Sequence, residues 1–445
     1  MRIGALRAAL LGAALVLSSA GAGGNDGAPL TGKLPGGGTY LIRPGGGAPV
    51  AAVALWYRAP SSGFAAAAVP GLGRLAASAV AASRPVTGTS LSQFVREVGG
   101  RLNVTAYPES VAVSALVPAE RAADTVRAMT RSFFAPVLTD AGLGLARQNV
   151  VEAGAIRGYD HDAAINDAIY AALFAAGPAK IPPFGSTAAF ATLTLDTVRP
   201  YAERAFRPAN AVLIVTGAVD TSVLASALPG RSDAPSGAET PVPETLASGV
   251  APVAAPGPER GFGLGWAGPP ISDEREATAF DFIADYLFYP DTGIVQKAVR
   301  HTGSTLIGTF VTYHNPGVFL MTSSGGDQGS VRAAVDSALL AIRHPLTGPA
   351  FEAARRQFVY HILSDDETPS ALADTYGWYA VEGNPGYAPG EGGGAGRYLA
   401  TAAALTPEFV AATAAKYLDR PGAAITIGPA APVAPADQPA GSSTK

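Results

Sequence analysis

The stretch RPANAVLI at residues 207–214 returns as RPGAAITI at residues 420–427. The stretch QFVREVG at residues 93–99 returns in the same order as QKAVRHTG at residues 296–303. The copies are about 200 residues apart, and their separation changes little along the chain. A long repeat with small insertions indicates two copies of one domain, because a solenoid would repeat a much shorter unit.

The composition supports two globular copies and excludes some partners. The chain has 445 residues, of which 48% are hydrophobic, so each copy can bury a core of its own. It carries 31 basic and 35 acidic side chains, and no stretch is strongly basic. A nucleic-acid partner is therefore not expected.

Hydrophobic periodicity predicts mixed α and β elements in both copies. Val111 to Val117 alternates as a strand does, and 211–215 is a short apolar run typical of a buried strand. We predict helices over 69–82, 91–98, 119–133, 140–156, 162–175, 195–206, 275–288 and 293–301. Residues 229–258 are rich in Pro, Ala and Ser and are interpreted as a linker. The predicted units are a domain over 28–228, that linker, a domain over 259–429 and a disordered tail over 430–445.

The N-terminus has the pattern of an export signal. Arg2 and Arg7 precede an apolar segment over 8–17, and small residues follow at 20–22. We predict a signal peptide over 1–22 and a protein exported to the periplasm of a Gram-negative bacterium, without a membrane span after cleavage. A retained N-terminal anchor is the alternative. The chain has no Cys, so a lipidated N-terminal cysteine and disulfides are excluded.

Several segments, in order, resemble one peptidase family. They are VAAVALWYR at 50–58, VPGLG at 69–73, the Gly-Gly turn within 91–104, IPPFGST at 181–187 and RPANAVLIVTGAVD at 207–220. This chain resembles the pitrilysin/insulinase-type zinc peptidases in their half-size, mitochondrial-processing-peptidase-like form. The resemblance implies an α+β fold. Two homologous domains, each a mainly antiparallel sheet covered by helices on one side, would face each other across a cleft.

The resemblance also identifies where the family's metal chemistry would lie. Active members carry H-x-x-E-H on the helix that begins near residue 70, where two His bind zinc and the Glu acts as base on the metal-bound water. The matching positions in this chain are Arg74-Leu75-Ala76-Ala77-Ser78. Arg74 offers no lone pair and Ala77 cannot transfer a proton, while the neutral Ser78 hydroxyl is a poor zinc ligand. We therefore expect no catalytic residues, no metal and no cofactor, the ancestral zinc being lost.

The third ligand position of the family, a Glu, is matched by Glu152. Two interpretations of Glu152 stay open: a solvated helix carboxylate, or a buried partner that pairs with Arg74 where the metal would lie. In the second interpretation the guanidinium replaces the charge of the zinc ion.

Other sequence clusters are weaker candidates. His161 lies between two aspartates, and capping of the helix that follows is the favoured role of this cluster. His361 precedes Asp365, Asp366 and Glu367, which we interpret as a solvated helix end rather than a cation site.

Arg300 lies near the position where the family supplies an Arg that holds substrate. The Tyr that accompanies it in the family would fall on Leu306 or Ile307, and Tyr313 comes too late in the strand. Arg300 is therefore a candidate for substrate contact, with an exposed helix charge as the alternative.

The function expected from these features is that of a catalytically inactive homologue. It would pair with a zinc-bearing homologous subunit and enclose an extended peptide or unfolded polypeptide in a chamber. A stand-alone peptide-binding or scaffold protein is one alternative. An active zinc metalloendopeptidase with an unrecognised site is another, although no His precedes residue 161.

Overall fold

The structure is a computed structural model that describes nine stretches of the chain. They are residues 29–64, 68–85, 88–230, 237–249, 252–256, 259–365, 367–383, 396–419 and 421–428. The predicted signal peptide and the predicted tail lie outside the described residues.

The first half is built on a sheet whose described strands run in the order β1-β2-β7-β3-β5-β4. Its strands are β1 Leu30–Lys33, β2 Thr39–Pro44, β3 Val50–Arg58, β4 Arg101–Ala106, β5 Ser110–Pro118 and β7 Ala211–Gly217. Its helices are α1 Leu72–Ala82, α2 Leu91–Glu97, α3 Ala122–Phe134, α4 Asp140–Arg157, α5 His161–Leu173, α6 Thr187–Thr192, α7 Leu195–Ala205 and α8 Thr221–Ala227. A short strand β6, Phe174–Ala176, follows α5.

The second half repeats this arrangement. Its described strands run in the order β11-β12-β10-β13-β9. They are β9 Pro252–Pro256, β10 Gly261–Gly268, β11 Thr305–Val311, β12 Gly317–Ser324 and β13 Ala423–Gly428. Its helices are α9 Glu274–Phe288, α10 Ile294–Val299, α11 Gln328–Ala341, α12 Gly348–Asp365, α13 Pro369–Glu382, α14 Arg397–Ala403 and α15 Pro407–Tyr417.

The two sheets have the same connectivity, which confirms the domain repeat predicted from the sequence. β3 pairs antiparallel with β5 and β7, as β10 does with β12 and β13. Each sheet also contains one parallel pair, β2 with β7 and β13 with β9. In the first sheet, β1 is added beside β2. The α+β class, with mainly antiparallel sheets, is therefore confirmed.

Each half sends one helix to the sheet of the other half. The helices α1, α3 and α8 pack on one side of the first sheet, and α13 of the second half packs on its strands β3 and β7. In the same way α9, α11 and α15 cover the second sheet, and α5 of the first half packs on β10, β12 and β13. The central strands β3 and β7, covered on both sides, are consequently buried along most of their length, which explains why they are almost entirely apolar.

Aromatic rings fill the space between the halves. Trp56 on β3 stacks on Tyr107, and both rings meet Trp378 of α13 edge-on. Gly377 lies against the indole of Trp56, and a Cβ there would come 2.0 Å from Trp56 Nε1. The hydroxyls of Tyr170 on α5 and Tyr313 are hydrogen-bonded to each other at 3.0 Å. This close aromatic contact joins the two halves into one core.

A buried carboxyl pair lies at the end of α13. Glu382 is 1% exposed, and its side chain hydrogen-bonds that of Glu109 in the first half. The backbone N–H of His314 donates to Glu382 at 3.2 Å. Burial, together with the neighbouring carboxyl, raises the pKa of Glu382 well above its ordinary value. Arg58 donates to the carbonyls of Ala380 and Val381 and so caps the same helix end.

The predicted linker at 229–258 is partly built into the fold. Its residues Thr245–Leu246 form β8, which pairs with β6, and Pro252–Pro256 form β9 of the second sheet. Glu239 accepts hydrogen bonds from Arg204 and Arg207, and Glu244 accepts one from the N–H of Ala179 at 2.8 Å. The Pro-rich composition indicated a connection, but a strand at a sheet edge tolerates Pro as well.

The helix boundaries follow local capping signals. The side chains of Ser90, Thr139 and Asp160 each accept a backbone N–H at the start of α2, α4 and α5. These elements lie within a few residues of their predicted positions. No helix in the described part of the chain is long and apolar enough to cross a bilayer.

Candidate functional site

Helix α1 is the helix that follows β3 in the chain, and it carries the positions identified in the sequence. Gly71, with φ 76°, begins the helix in the left-handed region that favours glycine. A side chain there would also collide with Phe190, because an added Cβ would lie 2.5 Å from its ring. Leu75 and Ala76 face the sheet and are fully buried, which fixes the rotation of the helix.

This rotation leaves one stripe of α1 partly exposed. Along the helix, the residues that are not buried are Arg74, Ser78 and Ala82, spaced four apart. Arg74 and Ser78 therefore share the open face, as the i, i+4 spacing predicts. Ala77 is fully buried beside them.

The donor set on this face does not fit a zinc ion. A guanidinium has no lone pair to donate and stays positively charged, while Ala77 has no titratable group. Ser78 alone offers an oxygen, and a neutral hydroxyl is not among the usual zinc ligands. Among the described residues, no group of three or more His, Asp or Glu side chains is arranged to hold a metal.

Arg74 lies over an aromatic ring. Its guanidinium carbon is 3.6 Å from the centroid of the Phe184 ring, and the guanidinium carbon of Arg157 is 4.8 Å from the same centroid. Burial and the neighbouring Arg157 lower the pKa of Arg74 to about 10. Arg74 Nη1 is buried without a hydrogen-bond partner. The guanidinium is therefore held by stacking, not by an acceptor.

The ion pair between Arg74 and Glu152 is absent among the described residues, so that hypothesis was wrong. Glu152 is exposed and accepts a 3.0 Å hydrogen bond from the side chain of Gln148 on the same helix. The buried residues of α4 include Leu143, Ala146 and Val150, and Glu152 does not share their face. The solvated interpretation of Glu152 matches its position.

Small residues let α4 approach α1 closely. Gly142 lies against Ser83, the residue after α1, and an added Cβ would come 2.1 Å from Ser83 Oγ. Ser83 Oγ also accepts the N–H of Thr139 at 3.1 Å. Farther along α4, Arg147 donates to the carbonyls of Phe190 and Leu193. The helix pair is thus held closely together at the end near Ser83.

The two His clusters have structural roles. Asp160 accepts the N–H of Ala163 at 3.0 Å, which confirms the predicted cap of α5. His361 is 3% exposed, so its assignment to a solvated helix end was wrong. Its Nδ1 lies 2.8 Å from Asp285 Oδ2, and Tyr289 stacks on its ring at 3.5 Å.

Arg300 lies at the surface of the second half. Its Nη2 donates to the carbonyl of Asp291 at 2.6 Å, and the Asp291 carboxylate is 3.5 Å away. Tyr313 is 6% exposed and hydrogen-bonds Tyr170, so it is committed to the contact between the halves. Among the described residues, no hydrogen bond joins Arg300 to a tyrosine hydroxyl.

Two residues of this site were missed by sequence reasoning. Phe184 and Arg157 surround Arg74, although both are far from it in the chain. The segment IPPFGST had drawn attention only as part of a family resemblance. No local pattern predicts that its Phe meets α1, because that contact is made by the tertiary fold.

Comparison with known proteins gives a family match for part of the chain. Residues 192–358 match the model of the peptidase M16 inactive domain. This part of the chain is therefore similar to the peptidase M16 inactive domain. The matched segment runs from the end of α6 to α12, so it spans the connection between the halves. The predicted family resemblance is confirmed. No curated protein matches the sequence.

Solved structures share the M16-like fold at low identity. A protease from Helicobacter pylori is 15% identical, with a TM-score of 0.76, 90% of this chain and 99% of that chain being covered. A peptidase M16 inactive domain from Pseudomonas fluorescens is 16% identical, with a TM-score of 0.72 and coverage of 91% and 98%. A chain of Complex III2 from Candida albicans, with Inz-5 bound, is 12% identical, with a TM-score of 0.70 and coverage of 89% and 94%. At these identities the likeness extends to the two-domain fold.

Proposed function

We propose that this M16 homologue is a non-catalytic subunit that binds an extended peptide together with a zinc-bearing relative. The observation that carries the proposal is the partly exposed stripe of α1 with Arg74 and Ser78, the residues that the family resemblance aligns with metal ligands. A permanent cation there disfavours a divalent metal, while the scaffold around it is complete.

The edge of the first sheet supports peptide binding. Among the described strands, β4 pairs with β5 alone, so the hydrogen-bonding groups on its other side are available for an added strand. Helix α1 packs against β4, so the helix that carries Arg74 and Ser78 is a neighbour of this edge strand. An extended peptide could therefore gain backbone hydrogen bonds without any metal.

Exposed apolar side chains support a protein partner. Ile156 and Tyr159, at the end of α4, are 75% and 84% exposed. Tyr360 and Leu363, near the end of the related helix α12, are 66% and 48% exposed. Paired apolar residues of this kind are common at interaction surfaces. One of the structural neighbours is a chain of Complex III2, so the fold also occurs within a larger assembly.

The first test measures catalysis by the isolated chain. We expect no stoichiometric zinc and no chelator-sensitive cleavage of an unstructured peptide. Metal content and peptide turnover are measured on the same preparation. Chelator-sensitive turnover by the isolated chain would overturn the proposal and favour an active peptidase.

The second test looks for the partner. The tagged chain is crosslinked and recovered from its own cells, and we expect a protein carrying an intact H-x-x-E-H. The recovered pair should cleave the peptide faster than either chain alone. Replacing both Ile156 and Tyr159 by Ser should weaken recovery, whereas Leu340→Ser, at another exposed apolar position, should not. A chain that binds peptide without such a partner would favour a stand-alone binder.

A further inference from the structure

The cluster of Arg74, Phe184 and Arg157 contains a cation whose hydrogen-bonding capacity is not used. Within the described residues, no hydrogen bond or ion pair involves Arg74, and its Nη1 is buried without an acceptor. A buried guanidinium normally finds carbonyl or carboxylate oxygens, because an unpaired buried donor costs free energy. The described residues therefore leave the N–H groups of Arg74 free for a partner from outside the fold.

Two neighbouring arginines show how unusual this is. Arg147 donates to two backbone carbonyls, at 3.0 and 2.6 Å. Arg157 makes a two-pronged ion pair with Asp167, at 2.7 and 2.9 Å. Both are satisfied inside the protein, as structural arginines are. Arg74 differs from them, although it lies within the same region.

The surroundings of Arg74 favour an anion. The nearest charged group that stacks on the same ring is a second guanidinium, and this repulsion adds to the cost of burying Arg74. Phe184 contacts the guanidinium, whose central carbon lies 3.6 Å from the ring centroid, and this contact restricts its movement. A planar, pre-oriented guanidinium matches the two oxygens of a carboxylate. The partly exposed stripe with Ser78 leaves a route from solvent to this position.

We propose that Arg74, which lies over the ring of Phe184, binds a carboxylate of the extended peptide. This inference rests on the proposed peptide-binding function and specifies its chemistry. The carboxylate comes either from the peptide's C-terminus or from an acidic side chain. Arg157 adds positive potential, while its own hydrogen bonds stay with Asp167.

The first experiment tests the carboxylate site without a long peptide. N-acetyl-Gly-Ala, with a free carboxylate, and its C-terminal amide are titrated into the full chain. The side-chain Nε–H signals of arginine are followed by NMR, and Arg74→Gln assigns the signal of Arg74. We expect the carboxylate, and not the amide, to shift the Arg74 signal. No shift with either compound would overturn the inference.

The second experiment separates the two sources of the carboxylate. Fluorescent unstructured peptides are compared with a free or an amidated C-terminus, and with an internal Glu or Gln. We expect loss of the recognised carboxylate to weaken binding about tenfold or more, as for other charge-assisted hydrogen bonds. Sensitivity to amidation assigns the C-terminus, and sensitivity to Glu→Gln assigns a side chain.

Variants connect this discrimination to Arg74. Arg74→Gln should bind both members of each peptide pair equally, and Phe184→Leu should reduce the discrimination. Arg84→Gln is the matched control, because Arg84 lies just beyond α1, is exposed and donates to Gln93 at 2.6 Å. It should keep the discrimination, and thermal unfolding checks that all variants are folded.

The outcomes distinguish the inference from the proposed function. Peptide binding that does not depend on the carboxylate and is unchanged in Arg74→Gln would overturn the inference. The proposed function would not be affected by that result. Binding of the small carboxylate without binding of any long peptide would support the Arg74 site and count against the proposed function.

Discussion

The helix pair α1–α4 of the first half and the helix pair α9–α12 of the second half have the same place in a duplicated fold, yet they are packed differently. In the second pair, Asp285 and His361 lie 2.8 Å apart with both side chains about 5% exposed or less. In the first pair, Gly142 fits against Ser83 at one end, and Arg74 stays without an acceptor near the other. One contact is closed by partnered polar groups, and the other is left partly open.

This difference shows where the fold gets its stability. The sheets, the aromatic core between the halves and the exchanged helices α5 and α13 do not depend on the open face of α1. The residues on that face can therefore change without loss of the scaffold. A metal site could disappear there and a different binding site could form, which is less easily achieved at a closed, buried contact.

The largest effect is expected from removing the buried contact between His361 and Asp285 in the second helix pair. His361→Ala should lower the free energy of unfolding by about 3 kcal/mol, because it removes a buried hydrogen bond and the ring beneath Tyr289. The matched change Arg74→Ala should cost less than about 1 kcal/mol, since it removes only a stack on Phe184. Urea unfolding measures both. Equal losses in the two variants would mean that the two pairs are equally important for stability.

A second prediction concerns the close approach of α4 to α1. Gly142→Ala should destabilise the chain by about 2 kcal/mol, because its Cβ would come 2.7 Å from Ser83 Cα, a backbone atom. Gly144 lies in the same helix with nothing within 4 Å of an added Cβ. Gly144→Ala should therefore stabilise by about 0.5–1 kcal/mol, as Ala does in a helix interior. Thermal or urea unfolding tests this pair, and a shift of the same sign in both would contradict the packing described.

Much of the architecture could be predicted from the sequence, since its signals are local. The repeat predicted two copies of one domain, and the capping residues Ser90, Thr139 and Asp160 marked helix starts. The position of Glu152 was also within reach. The apolar spacing of Leu143, Ala146 and Val150 in α4 places Glu152 on another face of the helix.

Other features depended on contacts between distant segments. The exchange of α5 and α13 between the sheets cannot be seen in their periodicity, because a helix buried on two sides has no clear polar face. The burial of His361 depends on Asp285, and the environment of Arg74 depends on Phe184. Pairings of this kind are set by topology, and no single-sequence pattern specifies them.

The helices α5 and α13, each packed on the sheet of the other half, allow the comparison to include the pH dependence of stability. Glu382 of α13 is paired with Glu109, and both carboxyls have pKa values raised mainly by burial. A carboxyl with a raised pKa in the folded state contributes stability at low pH that is lost as the pH rises through that folded pKa. We expect stability to fall as the pH rises above the ordinary range of glutamate. Glu382→Gln should flatten this dependence.

The other exchanged helix provides the control for this pH effect. Tyr170→Phe on α5 removes the neutral hydrogen bond to Tyr313 and should cost about 1 kcal/mol at every pH from about 5 to 8. The unfolding free energies of the native chain and both variants are measured across that range. A native chain whose stability does not change with pH would show that the carboxyl pair is not coupled to folding.

The smallest effect is expected at two arginines that the sequence repeat places in register. Arg96, at the end of α2, and Arg300, just after α10, are both exposed. Arg300→Ala and Arg96→Ala should each change the free energy of unfolding by less than about 0.5 kcal/mol, because exposed charges contribute little. Peptide affinity should stay within about twofold in both, since Arg300 is engaged by Asp291. An affinity loss confined to Arg300→Ala would instead assign this residue to the peptide-binding surface and show that the second half retained a contact which its counterpart in the first half does not make.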